Sequence, residues 1–257
     1  MTHALKIENI SKTFGGLVAV DGFNLSLAKG AIQGVIGPNG AGKTTVFNLI
    51  TGVYPPDSGD IWLHDKKITG QFADAIARAG ISRTFQNIRL FQEMSVWENV
   101  KVAFHARATY GFFGALLHSK DFKISEEKIN LESLEYLNYF GLQDRRDALA
   151  KNLSYGDQRK LEIARALATG SKVLLLDEPA AGINPKELHA LIDLIRRVHK
   201  DFSLSILLIE HQMPLVMELC QHVQVLNFGK MIAEGSPSAV TNHPEVLRAY
   251  LGEAEVA

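Results

Sequence analysis

The chain has 257 residues, of which 46% are hydrophobic and 21% charged, a balance that belongs to ordered globular proteins and excludes disordered or fibrous classes. Lys and Arg number 27 against 28 Asp and Glu, so a formal charge of −1 gives no bulk field for nucleic acid or an anionic membrane, and no nucleic-acid partner is expected. Cys220 is the single cysteine, which excludes an internal disulfide and a Cys-based zinc site and fits a reducing compartment.

The opening Met1 to Ile7 lacks the basic and apolar blocks of a signal peptide, and no apolar run approaches the roughly 20 residues that cross a bilayer. Leu5-Lys-Ile-Glu-Asn-Ile and Phe23-Asn-Leu-Ser-Leu alternate, which predicts strands, and Ala31 to Ile36 reads as a buried strand after the turn at Lys29-Gly30. Helical spacing runs from Lys43 to Ile50. Pro55-Pro-Asp-Ser-Gly59 then turns the chain into a short strand, Asp60 to Leu63. The stretch from about 94 to 170 is helical in character: Ser95-Val-Trp-Glu98 has the form of a capping box, and Glu126 to Phe140 carries apolar residues at helix spacing. Two buried strands follow, Val173 to Leu176 and Ser205 to Ile209, on either side of a helix over about 185–199, the βαβ signature of a parallel sheet. Val223 to Leu226 and Lys230 to Ala233 read as strands, and a short helix over 243–251 closes the pattern.

Gly37-Pro38-Asn39-Gly40-Ala41-Gly42-Lys43-Thr44 matches the P-loop pattern in full and lies between a buried strand and a helix, as its mechanism requires. Glycines at 37, 40 and 42 let backbone amides turn toward the β- and γ-phosphates of a nucleotide, the helix dipole adds partial positive charge, and Lys43 supplies a full one. Thr44 has the hydroxyl that ligates magnesium, and Thr45 reaches the α-phosphate region. Val173-Leu-Leu-Leu-Asp177-Glu178-Pro179 ends a buried strand in two adjacent acids. Asp177 is placed to hold magnesium through water, and Glu178, leaving the strand end in another direction, is placed to polarise the attacking water as general base.

Leu153-Ser154-Tyr155-Gly156-Asp157-Gln158, followed by Arg159-Lys-Leu-Glu-Ile-Ala-Arg-Ala-Leu, resembles the signature motif of ATP-binding cassette (ABC) ATPases, with Tyr155 in place of the usual glycine and Asp157 in place of the usual glutamine. Ser154 and the backbone of Tyr155 and Gly156 stand at a helix start, where hydroxyl, amides and dipole converge on an anion. The resemblance implies that this anion is the γ-phosphate held by a second subunit. It extends to Gln86 in Arg83-Thr-Phe-Gln86, which ends a predicted strand and resembles the glutamine loop that reaches magnesium and water. His211 in Leu208-Ile-Glu-His211 resembles the switch histidine at the γ-phosphate, Phe14 the aromatic that stacks on adenine, and Ala180-Ala-Gly-Ile-Asn184 the loop between subunits, with Asn184 where aspartate is commoner.

What the resemblance implies is an α/β P-loop NTPase with a RecA-like core, an N-terminal antiparallel sheet and an inserted α-helical subdomain. The core falls over 1–87 and 169–257 and the helical subdomain over about 88–168. ATP and Mg2+ are the implied cofactors, and Lys43, Gln86, Glu178 and His211 the implied catalytic set. The implied partners are a second ABC ATPase subunit, identical or paralogous, transmembrane permease subunits that hold the chain at the cytoplasmic membrane face, and, for an importer, indirectly a solute-binding protein. Asp177 to Pro185, Leu153 to Arg165, Ile209-Glu-His-Gln-Met and the terminal Ala249-Tyr-Leu-Gly-Glu look like the ATPase of branched-chain amino-acid importers; urea importers and lipopolysaccharide exporters have related cassettes. The segment from about 106 to 125 looks like the longer helical-lobe insertion of one ATPase type of that importer. Its Tyr110-Gly-Phe-Phe-Gly-Ala-Leu-Leu either faces a membrane-embedded partner or packs on its own lobe.

Overall fold

A computed structural model describes residues 3–108 and 110–254. The chain divides into two compact units, one made of Met1–Gln86 with Lys172–Ala257 and the other of Asn87–Ser171.

The first unit opens with β1 (His3–Phe14) and β2 (Leu17–Ala28), an antiparallel hairpin in which Leu5 faces Leu27 and Ile7 faces Leu25. Period-two alternation places Leu5, Ile7, Ile10, Phe23, Leu25 and Leu27 in the core, each fully buried side chain contributing roughly 1.5–3 kcal/mol. β3 (Ile32–Ile36) is buried throughout, including polar Gln33 at 4% exposure. The helix α1 (Lys43–Ile50) follows over the span its apolar spacing predicts, and its Val46, Phe47 and Ile50 join the same core as β1 and β2. β4 (Ser58–Leu63) and the two-residue β5 (Lys66–Lys67) complete a four-stranded sheet in the order β2-β1-β4-β5. α2 (Ala73–Ala79) leads to β6 (Ile81–Arg83). Gln86 therefore lies three residues beyond the strand that sequence reading had it end.

The second unit contains α3 (Val96–Phe104), α4 (Phe112–Leu116), α5 (Lys120–Tyr139) and α6 (Tyr155–Ala168). The capping box at Ser95 is present in both directions: Ser95 Oγ accepts from the Glu98 amide at 3.1 Å, and Glu98 Oε2 accepts from the Ser95 amide at 2.7 Å. α5 begins six residues before the expected Glu126, capped by Ser119, because its first turns are too polar to show an apolar stripe. Of the Tyr110 to Leu117 segment, Leu116 and Leu117 are 62% and 76% exposed, while the side chains of Phe112 and Phe113 lie outside the described residues.

The chain returns to the first unit with β7 (Val173–Asp177), α7 (Pro185–Asp201), β8 (Ser205–Ile209), α8 (Met213–Leu219), β9 (His222–Asn227), β10 (Lys230–Gly235), α9 (Pro237–Thr241) and α10 (Pro244–Ala254). The second sheet has the order β10-β9-β3-β8-β7-β6, parallel except for the β9–β10 hairpin. Val35 pairs with Ile209 and Ile209 with Asp177, so the C-terminal ends of β3, β8 and β7 lie side by side. Loops leaving that edge of a parallel sheet are where ligands of open α/β folds bind.

Candidate functional site

The loop after β3 is shaped by its contacts with neighbouring backbone. Gly37 has φ 148, and a Cβ there would come within 2.0 Å of the Leu226 carbonyl oxygen; Gly42 has φ 102, and its Cβ would meet the Ala19 oxygen at 2.3 Å. These two glycines are required by close approach to β9 and β2, a reason beyond the amide turning inferred from sequence. Pro38 and Ala41 are buried, and Asn39 and Gly40 form the exposed crest. Lys43 is buried and donates from Nζ to the carbonyl oxygens of Gly37 and Pro38, both at 2.7 Å, so its ammonium is held inside the loop. Helix α1 starts at Lys43 with no side-chain cap and no acid in its first turn. No capping side chain or first-turn acid competes for this helix start, whose leading amides and dipole suit an anion. Thr44 is exposed at this end and Thr45 half-buried.

At the end of β7, Asp177 is 3% exposed and Glu178 turns into the left-handed backbone region at φ 46, its amide donating to the Ile209 oxygen at 2.9 Å. That turn, more than strand alternation, separates the two carboxylates. Glu178 Oε2 accepts from Gln86 Nε2 at 2.7 Å and lies 3.7 Å from His211 Nδ1, so three residues singled out from distant parts of the sequence meet at one oxygen. The Asp177 carboxylate is paired: Arg83 Nη2 donates to its Oδ2 at 2.6 Å, both side chains being almost fully buried.

Phe14 ends β1 at 40% exposure, edge-on to Tyr54 with ring centroids 5.3 Å apart and the Lys12 ammonium 5.6 Å from its ring centre. The ring is partly exposed, as a stacking role needs, with the Lys12 ammonium over it.

Ser154, Tyr155 and Gly156 belong to the second unit. Ser154 caps α6, its Oγ accepting from the Asp157 amide at 3.2 Å, and the helix starts at Tyr155. Tyr155 is 40% exposed, and its hydroxyl accepts from Arg159 Nη2 at 3.2 Å. Burial opposes ionisation of Asp157, but bonds from Lys160 and Ser154 and the charge of Arg145 outweigh it and hold its pKa below the usual carboxylate value. Asn184 caps α7, Oδ1 accepting from the Lys186 amide at 3.1 Å, a bond that aspartate would make equally well.

Sequence reading passed over Glu210 and Arg83. Glu210 is fully buried and accepts from the amides of Ala180, His211 and Gln212 at 2.9, 2.8 and 2.9 Å, while Gln212 Nε2 donates to the Ala180 oxygen at 3.0 Å. It fixes the His211 backbone to the loop after Glu178. A charged residue directly after an apolar strand and before His211 was the available signal for Glu210, and a cation within the strand expected before Gln86 the signal for Arg83.

Among the described residues no three His, Cys, Asp or Glu side chains gather to hold a metal ion. A cation at the end of β7 would thus depend on hydroxyl, carboxylate and amide oxygens from Thr44, Asp177 and Gln86, completed by phosphate and water. This hard, incomplete donor set fits Mg2+.

The family described as ABC transporter matches residues 20–181, and that described as branched-chain amino acid ATP-binding cassette transporter matches residues 230–256. The chain is 46% identical over 250 residues to the high-affinity branched-chain amino acid transport ATP-binding protein LivG of Escherichia coli K12, covering 97% of this chain and 98% of that one. It is 34% identical to the lipopolysaccharide export system ATP-binding protein LptB of the same organism, covering 97% of each. Among solved structures, the ADP conformation of an ATP-binding cassette of an ABC transporter superposes with a TM-score of 0.85 at 32% identity, covering 98% of this chain and 100% of the other.

Proposed function

The chain belongs to the ABC transporter family as a nucleotide-binding, ATP-hydrolysing subunit, and from that we propose that it drives the import of branched-chain amino acids through permease subunits at the cytoplasmic membrane face. The observation that carries the ATPase half of this reading is the convergence of Gln86 and His211 on Glu178, beside the paired ends of β3, β8 and β7. The solute half is supported by the C-terminal family match and by the higher identity to the branched-chain amino acid protein than to the lipopolysaccharide one.

In this reading the amides of Gly37 to Thr45 and the Lys43 ammonium bind the phosphates, and Phe14 stacks on the adenine. Thr44, Gln86 and, through water, Asp177 would hold Mg2+, which when bound would offset phosphate charge. Glu178 takes a proton from the water whose oxygen forms the new bond to the γ-phosphorus as the bond to the departing ADP oxygen breaks. Lys43 and His211 meet the charge that develops on the transferring group. A second ATPase chain supplies Ser154, Tyr155 and Gly156 to the same γ-phosphate, and the arrangement is reciprocal. No helix among the described residues is long and apolar enough to cross a membrane, so attachment falls to the permeases.

Reconstitution of the chain with its permeases and solute-binding protein in proteoliposomes tests both halves. ATP should drive leucine uptake, and Glu178→Gln should retain ATP binding, nearly abolish turnover and abolish uptake, because the amide keeps size but loses basicity. Normal hydrolysis by Glu178→Gln would remove Glu178 from its role; ATP-dependent movement of a lipid or of urea instead of leucine would replace the solute.

A further inference from the structure

Arg83 ties together three parts of the first unit that the chemistry uses. Its Nη2 donates to Asp177 Oδ2 at 2.6 Å, and its Nη1 donates to Asn48 Oδ1 at 2.8 Å and to Thr51 Oγ1 at 3.3 Å, both in or directly after α1. The guanidinium stands 5.4 Å from the Phe47 ring centre and 5.0 Å from that of Phe85, and the Arg83 and Asp177 side chains are 6% and 5% exposed. Arg83 also ends β6, three residues before Gln86. A planar fork gripped on two edges and stacked by aromatics has little rotational freedom. It therefore fixes one Asp177 oxygen relative to the helix that begins with Lys43 and Thr44.

We infer that Arg83 is a positioning residue for the metal of this site: by holding Asp177 Oδ2 it sets the direction of Oδ1 toward a metal-bound water and locks β7 to α1 at the spacing that Thr44 and Asp177 must share. The inference rests on the metal role of Asp177 proposed above. It assigns the pair a task beyond neutralising a buried carboxylate, since Asn48 and Thr51 are contacts that charge neutralisation does not need.

ADP binding to the intact chain, measured by calorimetry in EDTA and at stepped magnesium concentrations, separates positioning from general support. Arg83→Met should raise the magnesium concentration for half-maximal tightening by about tenfold, the low end for loss of a group that orients a metal ligand, with ADP affinity in EDTA unchanged. Arg83→Lys, which keeps charge without the fork, and Asn48→Ala, which loosens the fork without touching Asp177, should give smaller rises of the same sign. These two milder variants carry the test if Arg83→Met does not fold. Asp177→Asn should lose most of the magnesium effect, and adding Arg83→Lys to it should change nothing further. A magnesium requirement unchanged in the Arg83 and Asn48 variants while Asp177→Asn loses it, or equal loss of affinity with and without magnesium, would overturn the inference alone. Full magnesium dependence in Asp177→Asn would overturn the metal reading and the inference with it.

Discussion

Glu178 pays a conformational penalty of about 1–2 kcal/mol for its left-handed backbone, and the bond from its amide to Ile209 holds it there. Residues of this kind, strained and pinned, are found where geometry serves chemistry over stability. Phe14 is the opposite case: at 40% exposure it has less to lose from the core, so its replacement reads out binding. Phe14→Ala should weaken ATP binding by about 0.5–1.5 kcal/mol, the worth of one aromatic contact, with a smaller effect on turnover at saturating ATP. Tyr should restore it. Calorimetric titration beside a thermal melt checks this, and unchanged affinity would take Phe14 out of the site. The residues legible in the sequence were those that sit inside a recognisable motif, whether they act locally, as Lys43 does in reaching back five and six residues to the loop it closes, or across the chain, as Gln86 does on Glu178. Arg83 and Glu210 act on partners 94 and 30 residues away, and no spacing rule reports such pairs before the strands are placed.

Elements announced themselves when their signals were complete. The capping box at Ser95 and the apolar stripe of α1 were read where they occur, whereas β5 has two residues, too few for a period of two to register, and the strand expected to end at Gln86 stops at Arg83. Between α3 and α5 the structure shows a polar clasp that spacing alone did not reveal. Tyr110 donates from its hydroxyl to Glu126 Oε1 at 2.6 Å, His105 Nε2 lies 3.0 Å from the same oxygen, and Lys101 Nζ is 3.2 Å from Oε2. The Tyr110 bond, with those from Lys101 and His105, holds the Glu126 carboxyl below its usual pKa against the effect of burial, and burial with Glu126 pushes the Tyr110 phenol up to about 12. Because the Glu126 pKa is depressed in the folded state, the clasp's stabilisation is complete above the ordinary Glu value of about 4.3 and is lost as pH falls through the lower folded value. Tyr110→Phe should therefore cost roughly 1–2 kcal/mol at pH 7, and the difference from the unmodified chain should shrink in urea titrations below pH about 4. A difference that stays constant to pH 3 would mean that Tyr110 contributes packing only.

At the level of the whole molecule, the proposed pairing of two chains assigns the phosphate loop and the Ser154 helix start of one chain to two different composite sites. Mixed dimers distinguish this from a self-contained site. One chain with Ser154→Arg and the other with Lys43→Ala should damage a single composite site and leave the second with all its parts; both changes on one chain should damage each site once and give lower ATPase activity. Equal activity of the two mixtures would favour a site within one chain. The fold class could be read because P-loop, signature and acidic strand end occur in that order, but the side-by-side ends of β3, β8 and β7 became visible only with the strand order. That order has one more consequence. β6 and β7 are neighbours, Ile81 against Val173, although the whole Asn87–Ser171 unit is spliced between them. The chain thus leaves and rejoins the sheet at adjoining strands, and doubling the length of a connecting segment adds only about 0.6 kcal/mol of closure entropy. The spliced unit can therefore change in length at little entropic cost while β6 and β7 stay paired.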